Sequence, residues 1–223
     1  MQHIYLLRHG KVAADAALYG ATDVAVMPEV NQAIVNNIRQ QKLIFNRIYS
    51  SPLQRCKTLA QGISRQCGER KNAPSSDEVI VKKDLQEMNF GEFDGVLFDH
   101  IYQDKAQWHL LEKFWQAPSQ YPLPQAEPLL MFYQRVAKAW QCICQTLTNE
   151  NIPNSQHLVV CHGGVIRMIL ATLFNDDIEQ AHWYKKYTIG YGSLTHIKIE
   201  QGQATVVSIA QPCLLTSSKD RVL

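Results

Sequence analysis

The sequence has no apolar run approaching the ~18 residues that cross a bilayer. Its start, Met1-Gln2-His3-Ile4-Tyr5-Leu6-Leu7-Arg8, carries no basic leader, long apolar core or small-residue cleavage site, so no signal peptide is expected. The six cysteines (Cys56, Cys67, Cys142, Cys144, Cys161 and Cys213) include no Cys-x-x-Cys pair, and no Cys/His cluster has zinc spacing. Reduced, mostly buried thiols in a cytoplasmic protein are therefore expected, with no membrane partner. An excess of charge is also missing. Lys+Arg is 22 against Asp+Glu 20, a net charge of +2, which excludes the basic footprint of a nucleic-acid binder. Any anion must be gripped by a few placed residues rather than by a general field. No internal repeat or low-complexity tract interrupts the 223 residues. What remains is ordinary globular composition, 46% hydrophobic and 19% charged. The length suits a single domain over residues 1–223, with an insertion at about 97–127.

The apolar pattern alternates short strands with amphipathic helices. His3 to Leu7, Arg47 to Ser50, Val79 to Val81 and His157 to Cys161 read as strands. Pro28 opens a helical face of Val30, Ala33, Ile34 and Ile38. Ser51-Pro52 reads as an N-cap and first-turn proline before Leu53, Cys56, Ala60 and Ile63. Arg70 to Asp77 reads as a polar loop. A long helix follows Pro128, with Leu129, Tyr133, Val136, Trp140, Ile143 and Leu147 on one face, and Val165 to Phe174 form another. Leu194 to Glu200 and Ala204 to Ile209 read as a closing hairpin around Gly202. The fold class expected is α/β: a three-layer sandwich with a mostly parallel central sheet, helices on both faces, and an inserted helical or irregular lid segment.

In such sheets ligands sit outside the carboxyl ends of the strands. Chemistry-bearing residues gather there. The first strand ends in Arg8-His9-Gly10 and the second precedes Ser51-Pro52-Leu53-Gln54-Arg55. The third precedes Glu87, and the fourth ends in His162-Gly163-Gly164-Val165-Ile166-Arg167. Arg8 and Arg55 offer bidentate donors to a tetrahedral dianion. The helix starting at Gly163 points free N–H groups at the same rim. One neutral imidazole can attack phosphorus. A second, if protonated, adds positive charge to the transferring group. A carboxylic acid can protonate the leaving oxygen and then deprotonate water. The set suggests phosphoryl transfer through a phosphohistidine, with no metal or other cofactor required.

With Ser50-Ser51-Pro52-Leu53-Gln54-Arg55 and Glu87 before Phe90-Gly91-Glu92-Phe93-Asp94-Gly95, these motifs resemble the histidine phosphatase superfamily, which includes cofactor-dependent phosphoglycerate mutases. The resemblance covers nearly the whole chain. It implies that His9 is the phosphorylated nucleophile, that Arg8, Arg55, His162 and Gly163 form the phosphate pocket, and that Glu87, with Glu92 as the alternative, donates the proton. Tyr19-Gly20-Ala21-Thr22-Asp23-Val24 looks like the early segment of α-ribazole-5′-phosphate phosphatases, which implies substrate binding at Tyr19, Gly20 and Thr22. Lys11-Val12 and Asp15 depart from the family pattern, and Cys161 stands where Ser or Thr is common. A buried, inert Cys161 is expected over an activated thiol.

No arginine occurs between Arg70 and Arg135, while Phe98, Tyr102, Trp108, Phe114, Trp115 and Tyr121 crowd the insertion. Either these rings only pack the insertion onto the core, or they favour a small-molecule phosphoester with an apolar or aromatic leaving group, α-ribazole 5′-phosphate foremost. The alternatives are a phosphoglycerate mutase or sugar (bis)phosphatase on the same scaffold, and a catalytically silent phosphate-binding protein. His3, His100, His109, His157, His182 and His196 are expected at surface or satisfied core positions, with His100 or His109 able to enter the pocket.

Overall fold

The computed structural model describes residues 1–67, 79–150 and 152–213; the loop expected at Arg70 to Asp77 lies outside them. Six strands form one mixed sheet: β1 (Gln2–Arg8), β2 (Arg47–Ser50), β3 (Ile80–Val81), β4 (Ser155–Cys161), β5 (Ser193–Glu200) and β6 (Gln203–Pro212), in the order β3-β2-β4-β1-β5-β6. The first four run parallel, and the β5–β6 hairpin adds an antiparallel edge. Its turn is Gln201-Gly202, both with positive φ (51° and 79°), as a two-residue hairpin matched to strand twist requires.

Both faces of the sheet are covered. Helices α1 (Pro28–Gln40) and α2 (Gln54–Cys67) bury Ile34, Ile38, Leu59 and Ile63 against Leu7, Leu158 and Val160. On the other face, α4 (Lys105–Gln116), α5 (Leu129–Glu150) and α6 (Gly163–Phe174) meet Ile4, Leu6, Val159 and Ile197. Adjacent residues Leu158 and Val159, or Leu6 and Leu7, face opposite layers because side chains alternate along a strand. This explains the continuous apolar runs of β1 and β4.

The sequence expectations need two refinements. Helix α2 begins at Gln54, two residues past the expected proline start. The carboxylate of Asp23 takes the Gln54 N–H (2.8 Å), a cap supplied from 31 residues away and invisible to local pattern. As a cap, Ser51 Oγ offers the backbone a long bond, from the Leu53 N–H (3.4 Å). The insertion carries two helices, not one: α3 (Phe98–Gln103) precedes α4, and Asp104 separates them by accepting from the N–H groups of Ala106 and Gln107. Ile101, Leu111, Phe114, Ala117 and Leu123 are buried, so the insertion is packed into the domain's interior.

His157 on β4 is 1% exposed and its Nε2 pairs with Ser155 Oγ at 2.9 Å. Burial holds its pKa down at about 4. The unfolded chain takes up this proton near the ordinary value of 6.5, and the folded chain does so only near 4. The stability from this neutral ring is therefore complete above 6.5 and lost as pH falls towards 4, by about 3 kcal/mol. Urea titrations of His157→Gln should show a shallower acid decline between those pH values. An unchanged slope would mean that the ring charges freely in the fold.

Candidate active site

Register places the site. Arg8 pairs with Cys161, and Ser50 pairs with Val160, across adjacent parallel strands. The next residues, His9, His162 and Ser51, therefore emerge side by side at the carboxyl edge. The His9 N–H donates to Cys161 O (3.1 Å) and the Ser51 N–H to Val160 O (3.0 Å), which continues the ladder into the site. Gly10 matters for packing: a Cβ there would come 2.6 Å from Val30 Cγ1 on α1, so the glycine lets α1 close against the rim.

His9 is 5% exposed. Its Nδ1 lies 2.8 Å from Gly10 O, an acceptor, so Nδ1 carries the proton and Nε2 keeps its lone pair. Burial, with Arg8 and then Arg55 nearby, holds its pKa well below the ordinary value, so the ring is neutral. The His162 ring stands 5.1 Å away, edge to face.

The sequence leaves the charge of the His162 ring open, and its hydrogen bonds are those of a neutral ring. Its Nδ1 accepts from Arg55 Nε (3.2 Å), which puts its proton on Nε2, donated to Ser51 Oγ (2.8 Å). Burial first, then His9 and Arg55, hold its pKa well below the ordinary value. In this structure it is a neutral hydrogen-bonding ring, because two guanidinium groups nearby make a third cation costly.

Arg55 is 1% exposed, and its guanidinium is largely committed to protein. Besides His162, it donates to the carbonyls of Thr22 (2.7 Å), Tyr19 (3.0 Å) and Gly20 (2.7 Å). These bonds use four of its five N–H groups. The segment expected to bind substrate through Tyr19, Gly20 and Thr22 thus presents carbonyls to Arg55, and the Tyr19 hydroxyl donates to Asp15 O (2.6 Å). Asp15 and Lys11 are exposed.

Arg8 is freer. Its Nη1 donates to Ile189 O, its guanidinium lies 3.7 Å from the centre of the Tyr191 ring, and its buried Nε has no partner among the described residues. A buried guanidinium N–H without an acceptor is costly unless a ligand supplies one. Gly163 opens α6 beside it: a Cβ on Gly163 would sit 3.4 Å from Arg8 Nε. Tyr191, 5.6 Å from the His9 ring, is a wall of the site that the sequence motifs did not reveal.

Glu87 reaches the same helix end. Its Oε2 accepts from the Gly164 N–H at 2.9 Å. Glu92 is exposed and takes a bond from Gln125 Nε2 (2.7 Å), away from this point. A cleft of about 190 Å³ opens from Glu87 and Gly164 between walls that include Phe90, Phe114, Trp115 and Trp183. Arg167 lines it too, with its Nε on Tyr187 O (3.0 Å). The insertion supplies no arginine, as read from sequence, but α6 does. Arg167 lies four residues after Gly163, on the same helix face, and that spacing was the available signal. His100 and His109 are exposed and do not line the cleft. Cys161 is fully buried, and burial pushes its thiol pKa up, so it is not an activated thiol. No group of three or more His, Cys, Asp or Glu side chains suited to a metal occurs among the described residues. No helix among them is long and apolar enough to cross a membrane.

Residues 4–212 match the family model of the histidine phosphatase superfamily, branch 1. The chain belongs to that superfamily. A protein of Hydrogenobacter thermophilus, named provisionally as phosphoserine phosphatase 2, is 25% identical over 218 residues, covering 96% of this chain and 97% of the relative. The α-ribazole phosphatase of Shigella flexneri has the same fold, with a TM-score of 0.74 at 20% identity over 94% of this chain and 96% of the other. The phosphoserine phosphatase of Entamoeba histolytica, solved as an H9A mutant in complex with phosphoserine, has a TM-score of 0.71 at 23% identity, covering 94% and 97%. As a member of the histidine phosphatase superfamily it is an enzyme, and strand register brings His9, Ser51 and His162 of its motifs to one edge of the sheet.

Proposed function

We propose that this histidine phosphatase hydrolyses phosphomonoesters through a phosphohistidine on His9, with α-ribazole 5′-phosphate as its substrate. The observation that carries the chemistry is the His9 ring, held neutral with its proton on Nδ1 and its Nε2 lone pair free. Nε2 attacks phosphorus and the N–P bond forms as the P–O bond to the leaving group breaks. Glu87, as the carboxylic acid, gives its proton to the departing oxygen. The resulting carboxylate then takes a proton from water, whose oxygen attacks phosphorus. The N–P bond breaks, its electron pair returns to Nε2 and inorganic phosphate leaves. Arg8, one remaining N–H of Arg55 and the α6 N-terminus supply the positive field for the phosphoryl oxygens.

Substrate choice follows from what borders Glu87. The cleft there is walled by aromatic rings, which suits a flat aromatic leaving group such as a benzimidazole riboside. Arg167 favours a second reading, a leaving group that carries a carboxylate, as phosphoserine does. A phosphoester panel separates them. Turnover (kcat/KM) of α-ribazole 5′-phosphate is expected to exceed that of phosphoserine, 3-phosphoglycerate and sugar phosphates by about tenfold or more. A win for phosphoserine that Arg167→Gln abolishes would establish the second reading and leave the chemistry at His9 in place. Release of isomerised ester instead of inorganic phosphate would mark a mutase.

A further inference from the structure

Asp94 lies in the loop after Glu87 and is the only acidic side chain drawn onto the backbone that cradles Arg55, among the described residues. Its Oδ2 accepts from the Ala21 N–H (2.7 Å) and the Phe90 N–H (3.0 Å), and its Oδ1 accepts from the Thr22 N–H (2.8 Å). The peptide joining Gly20 to Ala21 is shared: its N–H goes to Asp94 and its C=O receives Arg55 Nη2. A carboxylate on one side of an amide and a guanidinium on the other polarise it in the same sense. Packing holds the peptide in place. A Cβ on Gly20 would come 1.9 Å from Met88 O and 2.5 Å from Asp94 Oδ2, and one on Gly95 would come 2.7 Å from Thr22 Oγ1.

We infer that Asp94 is a positioning residue that neutralises and orients Arg55 through the Gly20–Ala21 peptide, and that Arg55 in turn fixes the tautomer of His162. This rests on the proposed chemistry at His9 and deepens it. Asp94 touches no substrate. Its influence passes along a chain of bonds from carboxylate to amide to guanidinium to imidazole. The last link is Arg55 Nε–H on His162 Nδ1, which leaves the Nε2–H as the ring's only donor. A guanidinium with a direct carboxylate partner would have that anion in the phosphate pocket. Passing the charge through a peptide keeps the anion outside and the guanidinium in register.

The test is Asp94→Asn, which turns one acceptor oxygen into a donor facing a peptide N–H. Turnover of p-nitrophenyl phosphate should fall roughly 10- to 100-fold, as on losing a group that orients a ligand, and inhibition by inorganic phosphate should weaken with it. In an Arg55→Lys background the same change should cost almost nothing further, because both act on one unit. Nitrogen-15 NMR should place the His162 proton on Nε2 in the parent protein and on a mixture of nitrogens in Asp94→Asn. A lower melting temperature with unchanged His162 shifts, or losses that add in the double variant, would overturn the inference. If Asp94→Asn does not fold, Asp94→Ser takes its place, read by the same His162 shifts and phosphate inhibition: altered shifts uphold the inference, and unchanged ones or a protonated Nδ1 in the parent overturn it. Failure of the His9 reading shows elsewhere, as absence of phosphoryl label on His9 in the parent, while the tautomer and phosphate inhibition are read without turnover.

Discussion

Replacing His9 with alanine is expected to abolish covalent labelling by a phosphoester and to lower turnover by roughly 10⁴-fold or more, as loss of a covalent nucleophile does. The reason is local. No other imidazole at the rim has a free lone pair, since both His162 nitrogens are engaged by Arg55 and Ser51. The His9 ring stands beside Arg8, whose buried Nε has no acceptor among the described residues. Removing the ring is expected to leave phosphate binding by Arg8 and Arg55 in place. Rapid-quench labelling with a phosphorus-32 ester, beside a phosphate-binding measurement, separates the two effects. Persistent label in His9→Ala would move the nucleophile elsewhere.

Glu87 offers the second large effect, and it depends on the leaving group. Glu87→Gln should slow an alkyl phosphate roughly 10²- to 10⁴-fold, while p-nitrophenyl phosphate, whose phenolate departs without a proton, should lose far less. A steric counterpart makes the assignment sharper. A Cβ on Gly164 would lie 2.2 Å from Glu87 Oε1 and 3.0 Å from its carboxyl carbon. Gly164→Ala should therefore push the carboxylate aside and reproduce the same leaving-group dependence without changing any ionisable residue. Equal losses for both esters in either variant would place the acid elsewhere.

Much of the site was legible because parallel strands deliver their next residues to one edge. Arg8-His9-Gly10, Arg55, Glu87 and His162 could each be placed after a strand, and the register brings His9 and His162 together. What local pattern missed was set by contacts between distant segments. Asp23 caps α2 from 31 residues away. Asp94 gathers the N–H groups of Ala21 and Thr22 from more than 70 residues away. The charge of the His162 ring was open for the same reason: burial first, then His9 and Arg55, lower its pKa, and periodicity reveals neither that burial nor those partners. Arg167 lies outside the insertion, and one turn of α6 beyond Gly163 carries it into the cleft.

The paired ladder that runs through β2, β4 and β1 also governs which length changes the lineage can tolerate. Adding residues to the turn at Gln201-Gly202 alters surface alone. One extra residue inside β4 would swing His162 to the opposite layer and carry Cys161 into its place, because side chains alternate. The count of residues within β2, β4 and β1 therefore sets the register on which the site depends.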